Sequence, residues 1–359
     1  MTERGNRWVA GEKTVRGLVL LLLVLLSGCA AQLHAYEDLP GPPLSVLFAT
    51  DRQRGESSEP GEMFMAGRDS LRYGVSRVSF PADHELAELE SPVFTDDPEE
   101  HVLLYEVSLM SEESFTEELQ AAAYRGEPVL VYIHGFNMTF EKAVRHGAQL
   151  VHDMGFTGTA VLFSWPSEGK VSRYPADETA VVWARPHLER VLENVALAAG
   201  TGQVALVAHS MGNRVLTAAL AELLERRPEL KGRFASVILH APDIDSEVFR
   251  RDIAPGLLDS GALVTLYASA EDKALKVSQR LHRYSRAGYI DGHPLVIEGM
   301  ETVDAGCVSE GGYGHSYYRL SRPVLSDMYY LVNRQLPAAE RFSLEPVESP
   351  DGVYWRFQR

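Results

Sequence analysis

The chain has 359 residues, 45% of them hydrophobic and 23% charged, and a formal net charge of −16. That composition is ample for a sizeable core in one large domain or two smaller ones. The acidic balance, with no basic stripe in the body of the chain, excludes a nucleic-acid partner, because phosphate binding needs clustered Lys and Arg.

At the amino terminus Arg4, Arg7, Lys13 and Arg16 precede the apolar run Leu18–Leu26, followed by Ser27-Gly28-Cys29-Ala30. Basic, then apolar, then small is the order of a secretory signal, here over residues 1–28. The run is shorter than the ~20 apolar residues a membrane-spanning helix needs. Leu26-Ser27-Gly28-Cys29 resembles a bacterial lipobox, which implies lipidation of Cys29 and attachment to the membrane through an N-terminal lipid anchor. Ala30 after the cysteine resembles an outer-membrane sorting pattern, so the expected location is the bacterial cell envelope, periplasm-facing and on the outer membrane. With Cys29 acylated, Cys307 is the one thiol that remains, and no intrachain disulfide forms. Cleavage moves the formal charge from −16 to −18, so the body would not lie flat on anionic headgroups.

Residues 29–43, with Pro40, Gly41, Pro42 and Pro43, read as a tether. Ser45–Ala49, Gly74–Phe80 and His101–Val107 are strand candidates separated by polar stretches such as Asp51–Asp69, which makes 44–127 a region of N-terminal strands and loops. From Pro128 the apolar runs Val129–Ile133, Ala160–Ser164, Val204–Ala208, Ser236–Leu239, Leu263–Ala268 and Leu295–Ile297 alternate with helix-like segments. Continuous apolar strands between helices predict an α/β fold with a mostly parallel central sheet and helices on both faces, over 128–340. Phe140–Met154 and Asn213–Glu225 carry apolar residues at helical spacing. Pro186 should kink or split Thr179–Ala199, and residues 341–359 read as a C-terminal tail.

Val204–Asn213 reads strand, sharp turn, helix around Ser210, the setting in which a strained turn lifts a serine hydroxyl out of the backbone. A hydroxyl is a weak nucleophile without a base, an acid to orient that base, and donors for the oxyanion. For the acid, Asp272 follows the strand Leu263–Ala268 and precedes a helix, although capping that helix would equally account for it. Asp243 and Asp245 are the alternative acids, with capping of Ser246–Ile253 as their ordinary reading. For the base, His282 lies in a helical pattern and His293 in a turn entering a strand. His315 follows Gly311-Gly312-Tyr313-Gly314, where a loop could bring an imidazole over Ser210. The amides of Met211 and Phe136 are the candidate oxyanion donors, the second because Gly135 lets the chain turn sharply after Val129–Ile133. Trp165 and Tyr174, with Phe136, are candidates for the substrate pocket.

The segments Leu47–Arg52 (LFATDR), Val131–Asn137 (VYIHGFN), Phe163–Ser167 (FSWPS), Ala208–Arg214 (AHSMGNR), Ala241–Asp245 (APDID), Asp272–Leu275 (DKAL) and Gly314–Tyr318 (GHSYY) together resemble the α/β-hydrolase superfamily, esterase/lipase-like. Within it they resemble a bacterial lipoprotein branch without an assigned substrate. One departure is Ala208, where the G-x-S-x-G pattern has glycine. The resemblance implies Ser210 as nucleophile, Asp272 as acid and His315 as base, with no cofactor, and a small-molecule or lipid acyl ester as substrate. Amide, thioester or acyl-transfer chemistry would use the same triad. A catalytically silent envelope lipoprotein using the fold as a binding module is the rival from another class. A metal site from His240, Asp243, Asp245 and Asp272 has no supporting ligand spacing.

Overall fold

The computed structural model describes residues 39–92, 96–200, 203–308 and 314–358. The expected signal over 1–28, Cys29, most of the tether and the glycines at 311 and 312 lie outside the described residues. Eleven strands among the described residues form one sheet: β1 (Leu44–Arg54), β2 (Phe64–Ser79), β3 (Leu103–Met110), β4 (Val129–Ile133), β5 (Thr159–Ser164), β6 (Val204–His209), β7 (Phe234–His240), β8 (Leu263–Ala268), β9 (Glu301–Asp304), β10 (Leu344–Ser349) and β11 (Gly352–Phe357). Their spatial order is β10-β11-β9-β8-β7-β6-β4-β5-β1-β2-β3. Every pairing from β1 across to β11 is parallel, and antiparallel partners close both edges.

The apolar runs are continuous because successive side chains enter two different cores. Val129, Val131 and Ile133 of β4 face one, and Leu130 and Tyr132 face the other. In β6 Val204, Leu206 and Ala208 divide in the same way from Ala205 and Val207. Helices α1 (Glu112–Tyr124), α3 (Tyr174–Ala198) and α4 (Gly212–Arg226) supply the first core through Phe115, Leu188, Val191, Leu216 and Leu220. Helices α2 (Phe140–Asp153) and α6 (Arg322–Arg334) supply the second through Phe140, Val144, Leu325 and Met328. Ser111 and Thr139 cap α1 and α2 by accepting the amides of Ser114 and Lys142, which satisfies donors that have no partner inside the helix. Among the described residues no helix is long and apolar enough to cross a membrane.

Four expectations need correction. Thr179–Ala199 is not split: α3 runs unbroken for 25 residues with Pro186 inside. An interior proline costs about 3 kcal/mol, but Ala184, Leu188, Val191 and Leu192 are fully buried around it, and each large side chain recovers about 1.5–3 kcal/mol. Leu295–Ile297 is not a strand. The neighbour of β8 is β9, whose Glu301-Thr302-Val303-Asp304 has a single apolar residue, while Leu295 packs against the first core and its carbonyl accepts the Thr302 hydroxyl at 2.6 Å. The polar stretch Asp51–Asp69 is about half strand, since β1 runs to Arg54 and β2 starts at Phe64.

Residues 341–359 are not a tail. β10 and β11 form a hairpin that extends the sheet beside β9, and Arg341 anchors its start. The Arg341 guanidinium is buried, donating from Nη1 to Asp327 Oδ2 at 2.8 Å and to the Tyr267 hydroxyl at 3.2 Å, and from Nη2 to Glu301. Removing one partner of a buried charged cluster leaves the others uncompensated, which typically costs about 3–5 kcal/mol. Arg341→Met is therefore expected to lower the unfolding free energy by about that amount, measured by urea denaturation. An unchanged midpoint would show that the hairpin is not anchored there.

Candidate active site

β6 delivers His209 and Ser210 at the carboxyl edge of the sheet, and α4 starts two residues later. Ser210 holds φ at +53°, a conformation that costs a non-glycine residue of order 1–3 kcal/mol and persists only when the surroundings enforce it. They do so through a ring of hydrogen bonds. The Ser210 amide donates to His240 O at 2.9 Å, and Asn213 Nδ2 donates to Ser210 O at 2.9 Å and to His240 O at 3.0 Å. Two glycines allow the close packing beneath. A methyl group on Gly212 would lie 2.4 Å from His134 O, and one on Gly135 would lie 2.8 Å from His209 Nδ1 and 3.1 Å from Ser210 Cβ. The loop after β4 is thus pressed against the serine turn. Phe136 follows on that loop, its ring edge-on to Tyr174 at 5.1 Å. The Met211 amide stands at the head of α4, where the first amides have no intrahelical acceptor. Ala208 lies fully buried in the core at the strand end, so the departure from glycine is accommodated as a small core side chain.

His315 Nδ1 donates to Asp272 Oδ2 at 2.6 Å. The other oxygen, Oδ1, accepts the Leu275 amide at 2.8 Å and caps α5 (Lys273–His282). The two readings of Asp272, helix cap and imidazole partner, both hold because a carboxylate has two oxygens. Burial pulls the His315 pKa down, but the charge and hydrogen bond of Asp272 outweigh it, and the net shift is upward from 6.5. His282 and His293 do other things: His282 Nε2 pairs with Glu178 at 3.0 Å and His293 is exposed on its turn.

Asp243 and Asp245 are occupied elsewhere. Asp243 accepts Arg286 Nε at 2.9 Å, Arg214 Nη2 at 3.2 Å, the Ser278 hydroxyl at 2.6 Å and the Tyr174 hydroxyl. Burial would raise its pKa, but the Arg214 and Arg286 charges hold it below the usual value. Asp245 caps the turn after it through Glu247 N and Val248 N. His240 Nε2 faces Met328 Sδ at 3.2 Å with its ring stacked on Tyr267, so His240, Asp243, Asp245 and Asp272 do not gather round one point. Trp165 is no pocket wall. It is fully buried, stacked on His134 at 4.9 Å, and donates from Nε1 to His134 O at 2.8 Å.

Two positioning residues escape a reading of motifs alone. His209 Nε2 donates to His315 O at 2.8 Å, and its ring stacks on Tyr318 at 4.3 Å. Burial, reinforced by the nearby His315 charge, holds His209 well below 6.5 and hence neutral. The residue beside the serine therefore anchors the loop carrying His315, a role for which its place in the turn motif was the available signal. Arg52, fully buried at the end of β1, donates from Nε to Ser164 Oγ at 2.9 Å, from Nη1 to Ser167 O at 2.9 Å and from Nη2 to Met138 O at 2.8 Å. Burial lowers its pKa to about 10 and, together with the Arg52 charge, pushes His134 down to about 3. Neutral His134 keeps its proton on Nδ1, donating to Gly135 O at 2.7 Å.

Residues 111–334 match a family model described as "Alpha/beta hydrolase of unknown function" (DUF900). No curated protein sequence matches the chain. Among solved structures it is similar to a hyperthermophilic esterase from the archaeon Pyrobaculum calidifontis, at 12% identity and a TM-score of 0.33, over 62% of this chain and 91% of that one. It is also similar to an inhibited esterase B from Lactobacillus rhamnosis, at 11% identity and a TM-score of 0.33, over 89% and 97% of the two chains. An ester-hydrolase from the metagenome of Lake Arreo, solved with a bipyridine phosphonate derivative, gives 12% identity and a TM-score of 0.37 over 89% and 97%.

The tightest constraint in the turn is Gly212, which has carbonyl oxygens of β4 and its loop on the side where a methyl would go. Gly212→Ala is expected to cost about 1–3 kcal/mol of stability, measured by thermal and urea unfolding. Wild-type stability would mean that His134 and the turn can separate freely.

Proposed function

The chain belongs to the DUF900 family of α/β hydrolases, and from that premise we propose that it is a serine hydrolase cleaving a carboxylic ester through an acyl-enzyme. Ser210 Oγ attacks the carbonyl carbon, and His315 Nε2 takes the hydroxyl proton and returns it to the leaving alcohol. Water then repeats the cycle on the acyl-enzyme, releasing the acid. Asp272 keeps the His315 proton on Nδ1, so that Nε2 presents its lone pair, and it stabilises the imidazolium as that forms. The Met211 and Phe136 amides receive the oxyanion, each contributing on the order of 3 kcal/mol to lowering the barrier. The observation that carries this reading is the 2.6 Å bond from His315 to Asp272 on the loop that His209 ties to the serine turn, with Ser210 itself at φ +53°. The chemistry needs no cofactor.

The same proposal places the enzyme on a membrane through lipid on Cys29, in a bacterial envelope facing the periplasm. It is supported by the basic, apolar and small-residue order of residues 1–30. Wild-type protein is expected in the detergent phase of a Triton X-114 partition and Cys29→Ser in the aqueous phase; equal partition of both would remove the anchor.

Ser210→Ala should lower kcat for a short p-nitrophenyl ester on the order of 10⁶-fold with the fold retained by circular dichroism. Retained turnover would sink the assignment. Failure of a fluorophosphonate to label Ser210 in the folded wild type would leave the fold as a binding module.

The pH dependence gives a separate check. His315 must be neutral to act as base, and its pKa is raised, so kcat/KM should rise with pH through an apparent pKa above 6.5. In Asp272→Asn the charge that raises it is gone. The acid limb should move to lower pH while kcat falls on the order of 10⁴-fold. An acid limb that stays in place would mean that Asp272 does not set the basicity of the imidazole.

A further inference from the structure

We propose that the protein carries a divalent transition-metal site of the zinc type, remote from the serine turn, formed by His84 Nε2, His152 Nδ1 and Asp153 Oδ1. Among the described residues these form a group whose ligand atoms all lie within 4.8 Å of one another. Asp153 Oδ1 is 2.8 Å from His84 Nε2 and 3.3 Å from His152 Nδ1. Tetrahedral zinc with bonds of about 2.0–2.1 Å separates its ligand atoms by roughly 3.3 Å, so the shorter contact must open by about half an ångström and the two ring nitrogens, within 4.8 Å of each other, must settle at the same separation. Two imidazoles and a carboxylate are the donor set such an ion takes, with a fourth position left to solvent. That position is available on the side of His152, whose side chain is 45% exposed, whereas those of His84 and Asp153 are 5% and 1% exposed.

The surrounding groups orient the ligands as metal sites require. His84 Nδ1 faces the Glu90 carboxylate at 2.8 and 3.0 Å, which turns Nε2 towards the other two donors. Asp153 Oδ2 is held by the Ala87 amide at 3.0 Å and Gln149 Nε2 at 3.2 Å, leaving Oδ1 for the ion. Phe80 stacks on the His152 ring at 4.1 Å. Carboxylate oxygens flank both ring nitrogens of His84. Both nitrogens can donate only in the imidazolium; in the neutral ring Nδ1 donates to Glu90 and the Nε2 lone pair is free to take a metal ion. A divalent cation among Nε2, Nδ1 and Oδ1 takes the place of that second proton, and its two positive charges balance Asp153 and Glu90. The ion would fasten the connection from β2 to β3, which carries His84, to the last turn of α2, which carries His152 and Asp153.

The test uses the folded chain from residue 30 onward in a Cys307→Ser background, stripped with a chelator. Zn²⁺ is then titrated in competition with a chromophoric chelator, and Co²⁺ is followed by its visible absorption. The expected result is saturation at one equivalent per chain, a tetrahedral Co²⁺ spectrum and a rise in Tm on adding Zn²⁺. Binding should be lost in Asp153→Asn and in His152→Ala, the second an exposed position whose change leaves folding intact by circular dichroism. Glu90→Gln should weaken binding about 10–100-fold, and Ser210→Ala should leave it unchanged. Absence of saturable binding, or binding that His152→Ala and Glu90→Gln both leave unaltered, would overturn the site and leave the cluster as a proton-bridged ion pair.

Discussion

The buried guanidinium of Arg52 is the interaction on which the arrangement at the sheet edge depends. It stands at the end of β1 and reaches Ser164 at the end of β5, the Ser167 carbonyl beyond it, and the Met138 carbonyl on the loop after β4. No carboxylate is bonded to it directly. Asp51 instead meets His187 at 3.0 Å, and Asp177 accepts the Ser167 hydroxyl at 2.5 Å and the Glu168 amide at 2.8 Å. A charge in that position is tolerable only while every N–H it presents has an acceptor and the two carboxylates remain nearby. Any drift of the loop after β4 would break that set. The loop is therefore fixed from below by a charge, while Trp165 fixes His134 from the side.

This explains why the segments that identified the family lie far apart in sequence. LFATDR supplies the guanidinium, FSWPS supplies Ser164, Trp165 and Ser167, and VYIHGFN supplies the loop they hold, whose Gly135 packs on Ser210. Their common purpose was not legible from spacing, because it depends on β1 and β4 lying on either side of β5, a sheet order that the chain order conceals. The strand-turn-helix pattern around Ser210 was legible because it is local: six buried residues, one strained position and a helix begin within ten residues. Asp272 was legible as a residue but ambiguous in role, and the ambiguity was never a choice between exclusive alternatives. Capping uses one carboxylate oxygen and fixes the direction of the other.

The features that escaped share a physical cause, which is that burial by distant segments overrides local chemistry. β9 has a single apolar residue yet joins the sheet, where Glu301 meets Arg341 and the Thr265 hydroxyl. The last residues look like a tail until Arg341 is paired with Asp327, more than a dozen positions away. Trp165 and Tyr174 were grouped as large aromatics near the site, but the indole N–H found a backbone acceptor in the core, while the phenol joined the Asp243 cluster. Such outcomes follow from polar atoms seeking partners when buried, and a single sequence does not state which partners will be near.

Backbone strain shows the same division of labour. Asn137 at φ +64°, Ser210 at +53° and Ala241 at +45° follow the carboxyl ends of β4, β6 and β7, which are adjacent in the sheet. Each is held open by a neighbour: Gly135 and Gly212 let the first two turns touch, and Gly288 lies so close to Ala241 that a methyl there would come within 2.4 Å of its carbonyl carbon. Of the six non-glycine residues with positive φ among the described residues, these three share one edge, while Arg283 and Gln335 end helices and Ala87 lies between β2 and β3; the two continuous cores beneath give that edge rigid support. At these three strand ends the buried strands below carry the strain, and Ser210 keeps its φ of +53°.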